Sequence, residues 1–256
     1  MTLPKISIIT PSLNQGKFIE QTIKSVLNQN YPNLEYTILD GGSTDSTVKI
    51  LKKYSKQIKW VSEKDRGQAD AINKGMRMAK GDIVAYINSD DYYLPGAFTK
   101  IADFFMKNSK AKWVTGDYII VNEEDKKIQQ SVTLYKRLMR FTTSKNLLAI
   151  ANYIAQPSTF WRKSISKEIG FFDVSLKYVF DYDFWMRIIA KYPLFKISSP
   201  LSVFRIHSQA KGSTGFARQF AEELLVTKRY EKNPITLSLH KFHNQAIVGM
   251  YNLIKN

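Results

Sequence analysis

The sequence predicts an α/β protein built on a mostly parallel, doubly wound sheet, and three observations carry that prediction. Apolar runs of strand length alternate with stretches of helical period through the first third of the chain. Three of those runs end in polar loops, Thr10-Pro-Ser, Asp40-Gly-Gly-Ser and Asn88-Ser-Asp-Asp. The chain also has 256 residues, 44% of them apolar and 13% aromatic, enough for a sizeable single core.

The elements follow in order. Residues 5–10 (Lys-Ile-Ser-Ile-Ile-Thr) read as a short buried strand that Pro11 breaks, and 16–28 carries Phe18, Ile19, Ile23, Val26 and Leu27 at helical spacing. A turn at Tyr31-Pro-Asn leads to a second strand over 34–39. Ser43 or Thr44 can cap the next helix, which runs through Val48 and Leu51. A third strand falls near 58–61, a helix over 67–79 ends at Gly81, and 82–87 is the fourth strand. Beyond residue 95 the pattern loosens. A helix over 95–106, a strand over 113–121 and a charged hairpin or loop at 123–130 precede a mixed basic and aromatic segment, 131–155. Gln156-Pro turns into a strand reaching Trp161, 181–190 is helical and 195–207 mostly strand. Two amphipathic helices, 216–230 and 235–254, close the chain, with apolar stripes of Phe216, Phe220 and Leu224 and of Ile235, Leu239, Phe242, Ala246, Met250 and Leu253.

Composition narrows the function classes. There is no cysteine, so any metal must be held by oxygen or imidazole. The N-terminal residues are too short and polar a run for a signal peptide, and no apolar run spans a bilayer. The expectation is a cytoplasmic protein, with peripheral contact at the inner face of the cell membrane as a variant of it. A net charge of +16 attracts phosphate-bearing substrates, anionic membranes or nucleic acid, or simply confers solubility. The basic residues are dispersed with no block of five, so no nucleic-acid partner is expected.

Open α/β sheets bind ligands beyond the C-terminal ends of their strands, where Asn88-Ser89-Asp90-Asp91 follows the fourth strand. Neither a G-x-G-x-x-G fingerprint nor a G-x-x-x-x-G-K-[ST] loop is present, so a dinucleotide fold and a P-loop enzyme are both unsupported. Asp181 and Asp183 precede an apolar helix, where acids also serve the helix dipole.

The motifs Ser7-Ile-Ile-Thr-Pro-Ser-Leu-Asn14, Leu39-Asp-Gly-Gly-Ser-Thr-Asp45, Glu63-Lys-Asp-Arg-Gly-Gln-Ala-Asp-Ala-Ile-Asn-Lys-Gly75, Asn88-Ser-Asp-Asp91, Gln156-Pro, Asp181-Tyr-Asp-Phe-Trp-Met-Arg187 and Phe204-Arg-Ile-His207 stand in sequence at fitting intervals. In that order they resemble the family 2 glycosyltransferases, over about residues 4–210. The relatives most similar are bacterial enzymes that build surface or capsular polysaccharides.

The resemblance implies a GT-A fold with a Rossmann-like, mostly parallel central sheet flanked by helices and a C-terminal helical extension. It implies an inverting hexosyl- or N-acetylhexosaminyltransferase, taking a nucleotide-sugar donor, a UDP-sugar, to a glycan or lipid-linked acceptor. Residues 1–125 would hold the donor, 126–215 the acceptor and catalytic part of the same domain, and 216–256 the final helices, which could pair in a homo-oligomer. Thr10, Pro11, Ser12, Asn14, Asp40, Gly41 and Gly42 are placed at the nucleotide, with helix capping as the alternative for Asp40. Asp65, Arg66 and Gly67 would lie along ribose and diphosphate, supported by Asn73, and Asn88, Ser89 and Asp90 would complete the site. Mn²⁺ or Mg²⁺ would be held by Asp90, with Asp91 as helper and His207 near the metal or diphosphate. This chain departs from the family's Asp-x-Asp at Asn88, which adds no charge. Asp181 would be the general base, with Asp183 as its neighbour. Gln156, Trp161, Trp185 and Arg205 are assigned to acceptor or donor sugar. The rivals are a transferase-like domain that binds donor without activity, a nucleotidyltransferase and a basic nucleic-acid-binding protein.

Overall fold

The computed structural model describes residues 2–211 and 216–255, with the side chains of 212–217 and 250–256 left outside the description. Phe216, Met250 and Leu253 of the expected stripes therefore lie outside the described side chains. The chain runs β1 (Ile6–Ser12), α1 (Ile19–Leu27), β2 (Leu34–Asp40), α2 (Thr47–Lys53), β3 (Lys59–Ser62), α3 (Gln68–Met78) and β4 (Ile83–Tyr86). It continues through β5 (Tyr92–Tyr93), α4 (Ala97–Lys107), β6 (Trp113–Val121), α5 (Gln130–Met139), α6 (Lys145–Ile150) and a 3-10 turn at Gln156–Ser158. Then come β7 (Thr159–Arg162), α7 (Ser164–Ile169), α8 (Phe180–Ile189), β8 (Phe195–Arg205), α9 (Phe216–Tyr230) and α10 (Pro234–Lys255).

One sheet takes the order β3-β2-β1-β4-β7-β6-β8-β5. β3, β2, β1 and β4 are parallel, β7 runs antiparallel to both β4 and β6, and β8 is parallel to β6. The sheet reverses its order on either side of β1, so the loops after β1, β2 and β4 open onto one crevice. Alternation along β1 sends Ile6 and Ile8 to one core and Ile9 to the other. The second core is built largely of aromatics from β6, β7 and α8.

Pro11 does not break β1 as expected. The strand continues to Ser12, paired through Pro11 with Leu39 and through Ser12 with Asp40. The Ile9 carbonyl accepts the Ile87 N–H, so Pro11, two residues on, points its nitrogen to the same side. The β1–β4 pairing has already ended at Ile9 opposite Tyr86, so no donor is required there.

Segment 131–155 resolves into α5 and α6, with Leu147 donating its N–H to Ser144 Oγ at 3.1 Å as the N-cap of α6. Among the described residues no helix is long and apolar enough to cross a membrane.

Candidate active site

The loop after β4 is the hub. Asp90 is partly exposed, and its Oδ2 lies 3.0 Å from Nε2 of buried His207, which packs on the Phe18 ring. The fold thus brings together two groups far apart in sequence, because β8 ends beside the β4–β5 loop. Asn88 sits behind them. Its Oδ1 accepts from Gln68 Nε2 at 2.7 Å, and its Nδ2 donates to Asp91 Oδ2 at 3.2 Å and Gln156 Oε1 at 3.5 Å. Gln156 in turn donates to the Tyr86 carbonyl at 2.9 Å. The amide at 88 is therefore a connector with both ends used, and a carboxylate there could not donate to Asp91.

Asp91 is held inside the fold, behind Asp90. It is fully buried, with one oxygen accepting the Arg205 N–H at 2.9 Å and the other the Asn88 amide. Burial, then the neighbouring Asp90 charge, holds its carboxyl well above the ordinary range. Arg205 is likewise withdrawn from any sugar. Its buried guanidinium donates to the carbonyls of Asp90, Asn122 and Glu123 and to Gln21 and Asp125, between the rings of Phe18 and Tyr92. It staples the β4–β5 loop to α1 and to the end of β6.

The loops of the nucleotide crevice support one another. Asp40 is buried and accepts the N–H groups of Gly42 and Ser43, the Ser43 hydroxyl and the Ser62 hydroxyl at 2.6 Å. Those bonds shape its own loop, three of them falling on Oδ2 and one, from the Ser43 hydroxyl, on Oδ1. Thr10 is buried against the Tyr36 hydroxyl, and Pro11 and Ser12 are buried in the strand. Asn14 adopts φ 53° and ties the β1 loop to Ser43 and Thr44. Asp65 is partly exposed and accepts the Gly67 N–H at 2.7 Å, and a Cβ at Gly41 would come 2.8 Å from its Oδ2. Gly67 has φ 114°, open to glycine and strained for side chains. Arg66 is exposed and paired with Asp70 at 3.1 Å. Ser89 is buried, with its carbonyl accepting from Thr22.

Asn73 does not face the crevice. Its amide makes a paired bond with Phe172, donating to the carbonyl at 2.8 Å and accepting the N–H at 3.0 Å. Asn73→Ala should cost about 2–3 kcal/mol, because two buried backbone groups lose their partner. A urea melt with unchanged m-value checks it, and a loss below half a kcal/mol would sink the assignment.

Asp181 stands at the start of α8. The ring of its neighbour Phe180 lies 6.3 Å from that of Tyr86, two residues before Asn88. Asp181 accepts the Tyr182 N–H at 2.8 Å, and among the described residues no side chain donates to it. Burial pushes its carboxyl up to about 6, opposed by Tyr182 N–H, Lys136 and Lys211. Asp183 faces elsewhere, since residues two apart on a helix point in different directions. It is buried, accepts from Arg187 at 2.9 Å and from the Tyr230 hydroxyl at 2.7 Å, and fastens α8 to α9. Trp161 and Trp185 are 0% exposed, packed 5.6 Å apart in the aromatic core, so neither can stack on a sugar.

Several residues escaped the sequence reading. Glu222 of α9 accepts the N–H groups of Lys177, Tyr178 and Val179 at 2.6–2.9 Å, fixing the turn that presents Asp181. Lys211 donates to Gln68 at 3.4 Å and lies over the rings of Tyr178 and Phe180. Its place four residues past His207 was the only sequence cue. Glu223 is buried, and its carboxyl is pushed up to about 7 by burial, opposed by Lys136 and reinforced by Asp181. The folded state therefore keeps a proton that the unfolded chain releases, and Glu223 costs stability as pH rises from about 4.5 to 7. Glu223→Gln should be nearly neutral at pH 4.5 and stabilising by about 1–3 kcal/mol at pH 8, read by thermal melts at both. A pH-independent difference would sink this reading.

The donor set suits a divalent cation in part. Asp90 and His207 converge, while among the described residues no group of three His, Asp or Glu could hold a cation. Hard cations accept such a pair when substrate phosphates and water complete the shell.

The sheet and its loops define the class. The fold is the GT-A fold of glycosyltransferases, shared with a Pyrobaculum calidifontis mannosyltransferase in complex with GDP-Man and Mn²⁺ (TM-score 0.72, 16% identity, 95% of this chain and 70% of that one). It is shared also with S. aureus TarS in complex with UDP-GlcNAc (TM-score 0.66, 20% identity, 87% of this chain and 65% of that one). The glycosyl transferase family 2 pattern matches residues 7–170, more than half of the chain, and the chain belongs to that family. An uncharacterised glycosyltransferase of Rickettsia typhi is 27% identical over 216 residues, 82% of this chain and 67% of its own. Bacillus subtilis TuaG, a proposed teichuronic acid biosynthesis glycosyltransferase, is 39% identical over 117 residues, 44% of this chain and 46% of its own. The chain is thus a glycosyltransferase that spans about two thirds of the S. aureus structure and less than half of TuaG.

Proposed function

We propose that this glycosyltransferase moves a sugar from a UDP-sugar to a hydroxyl of a glycan or lipid-linked acceptor in one inverting displacement. The observation that carries the reading is Asp181, a carboxylate raised to about 6 with no side-chain donor among the described residues, presented near the end of β4, where Asp90 of the β4 loop meets His207 from the end of β8. In this reading Asp181 takes the acceptor hydroxyl proton as that oxygen bonds the anomeric carbon. The bond from that carbon to the diphosphate breaks, and the diphosphate departs with its electron pair.

Asp90 and His207 are the residues to hold a divalent cation, which when bound neutralises diphosphate charge. Lys211 adds a cation on the same side, between Gln68 and Phe180. Residues 1–125 serve the donor and 126–215 the acceptor side. Uridine is favoured by the resemblance and by the UDP-GlcNAc complex of TarS, whereas the mannosyltransferase complex holds GDP-Man. Thermal-shift screening of UDP, GDP, CDP and dTDP with and without Mn²⁺ tests the reading. UDP should give the largest shift, increased by Mn²⁺. If no nucleoside diphosphate moves the melt, the proposal fails.

A further inference from the structure

The final helix is turned the wrong way for a core-facing element. Thr236, His240 and Asn244 of α10 are buried, with His240 Nδ1 2.9 Å from the Ala149 carbonyl and Nε2 3.0 Å from Asn244 Nδ2. The opposite face carries Ile235, Leu239 and Phe242, which stand 46–71% exposed. Water demands the reverse arrangement of a helix whose outer face is free. Helix α5 repeats the pattern. None of its residues is buried, and Leu134, Leu138 and Phe141 just beyond its end are 55–70% exposed at the same spacing. The Tyr135 hydroxyl lies 2.8 Å from His243 Nε2, so the two helices are joined alongside their exposed stripes. Most of the large apolar side chains exposed among the described residues belong to this one region.

Charge says what covers it. No Asp or Glu occurs between Lys126 and Lys167, nor from Lys232 onward, although the chain has 22 acids elsewhere. The same segments carry Lys126, Lys127, Lys136, Lys145 and Lys241, besides Arg137, which pairs with Asp117 at 3.4 Å, and Lys196 places its ammonium 4.2 Å from the Phe141 ring centroid. Neither α5 nor α10 carries an acid of its own, so the exposed sides of the two helices are apolar and cationic. A second copy would set two such cationic faces against each other, which disfavours a symmetric pair. An anionic bilayer surface supplies both what the stripes lack, an apolar layer at shallow depth, and what the lysines lack, negative headgroups.

We propose that α5 and α10 form a docking face for an anionic lipid surface, with Leu134, Leu138, Phe141, Ile235, Leu239 and Phe242 entering the headgroup boundary. The six apolar side chains are distinct from the residues of the Asp90–Asp181 crevice, toward which α5 turns Lys136, and the test reads no transfer activity.

The experiment is flotation of the full chain with vesicles of phosphatidylcholine alone or of phosphatidylcholine with phosphatidylglycerol. Binding is expected only with phosphatidylglycerol and should weaken in high salt. The double variant Leu239→Ser/Phe242→Ser should lower the partition coefficient at least about tenfold, as should Leu138→Ser/Phe141→Ser, with circular dichroism and melting unchanged because these side chains are exposed. Lys241→Glu should weaken binding through charge alone. The proposal is overturned if the parent fails to float, if it floats equally on neutral vesicles, or if the double variants float like the parent. Light scattering that finds a dimer dissolved by Leu239→Ser/Phe242→Ser would assign the face to a second copy and overturn it as well.

Discussion

Replacing Asp181 with asparagine is expected to lower kcat by about 10²–10⁴-fold, the range over which a positioned general base contributes. Donor affinity should be unchanged, because in the proposed reaction Asp181 meets the incoming hydroxyl and not the nucleotide. The parent enzyme carries a pH signature that a structural role would not give. A base works as its carboxylate, and burial raises this carboxyl to about 6. Activity should therefore fall as pH drops through about 6 and reach a plateau above it. Lys136 and Lys211 both favour the ionised form, so Lys136→Met should move the acid limb to higher pH. Rates across pH 5–8 with saturating donor check this. An asparagine variant that turns over like the parent while still binding nucleotide would remove Asp181 from the mechanism.

Removing the Asp90 carboxylate should have the second largest effect, on cation-dependent donor binding. Asp90→Ala takes away the one partly exposed acid in the β4 loop, the carboxylate 3.0 Å from His207 Nε2. The loss of Mn²⁺-dependent affinity should exceed the ~10–100-fold that follows loss of a mere supporting group. His207→Ala should act in the same direction and less severely, because an imidazole, unlike the Asp90 carboxylate, brings no negative charge to a cation. Calorimetric titration of nucleotide with and without Mn²⁺ measures both. If Asp90→Ala keeps the parent's cation dependence, the cation sits elsewhere. Asn88→Asp offers a control, since an added acid would confront Asp91 and Gln156 Oε1 instead of donating to them.

Much of the architecture was legible before any coordinates. The parallel half reads cleanly because β1, β2 and β4 are buried on both faces and bounded by loops of Gly, Pro, Ser and Asp. The 131–155 segment was opaque because the apolar residues of α5, Leu134 and Leu138 with Phe141 beyond its end, are interleaved with basic ones and none is buried, so no core marks the helix. The final helix misled for a related reason. Its apolar stripe is real, yet the fold turns that stripe outward and seats His240 against α6.

The site divides along the same line. The order and spacing of the loops in sequence determined which strand ends are polar and where Asp90 and Asp181 fall, since β-strand alternation and helix period are local properties. The tertiary structure alone decided which polar groups remain available. Asp40, Asn73, Asp91, Asp183 and Arg205 are each held by hydrogen bonds to partners in the fold. Trp161 and Trp185 are committed to the core by burial. Availability is set by partners distant in the chain, as with Arg205 and Asp91 or Asn73 and Phe172, and no local pattern records them.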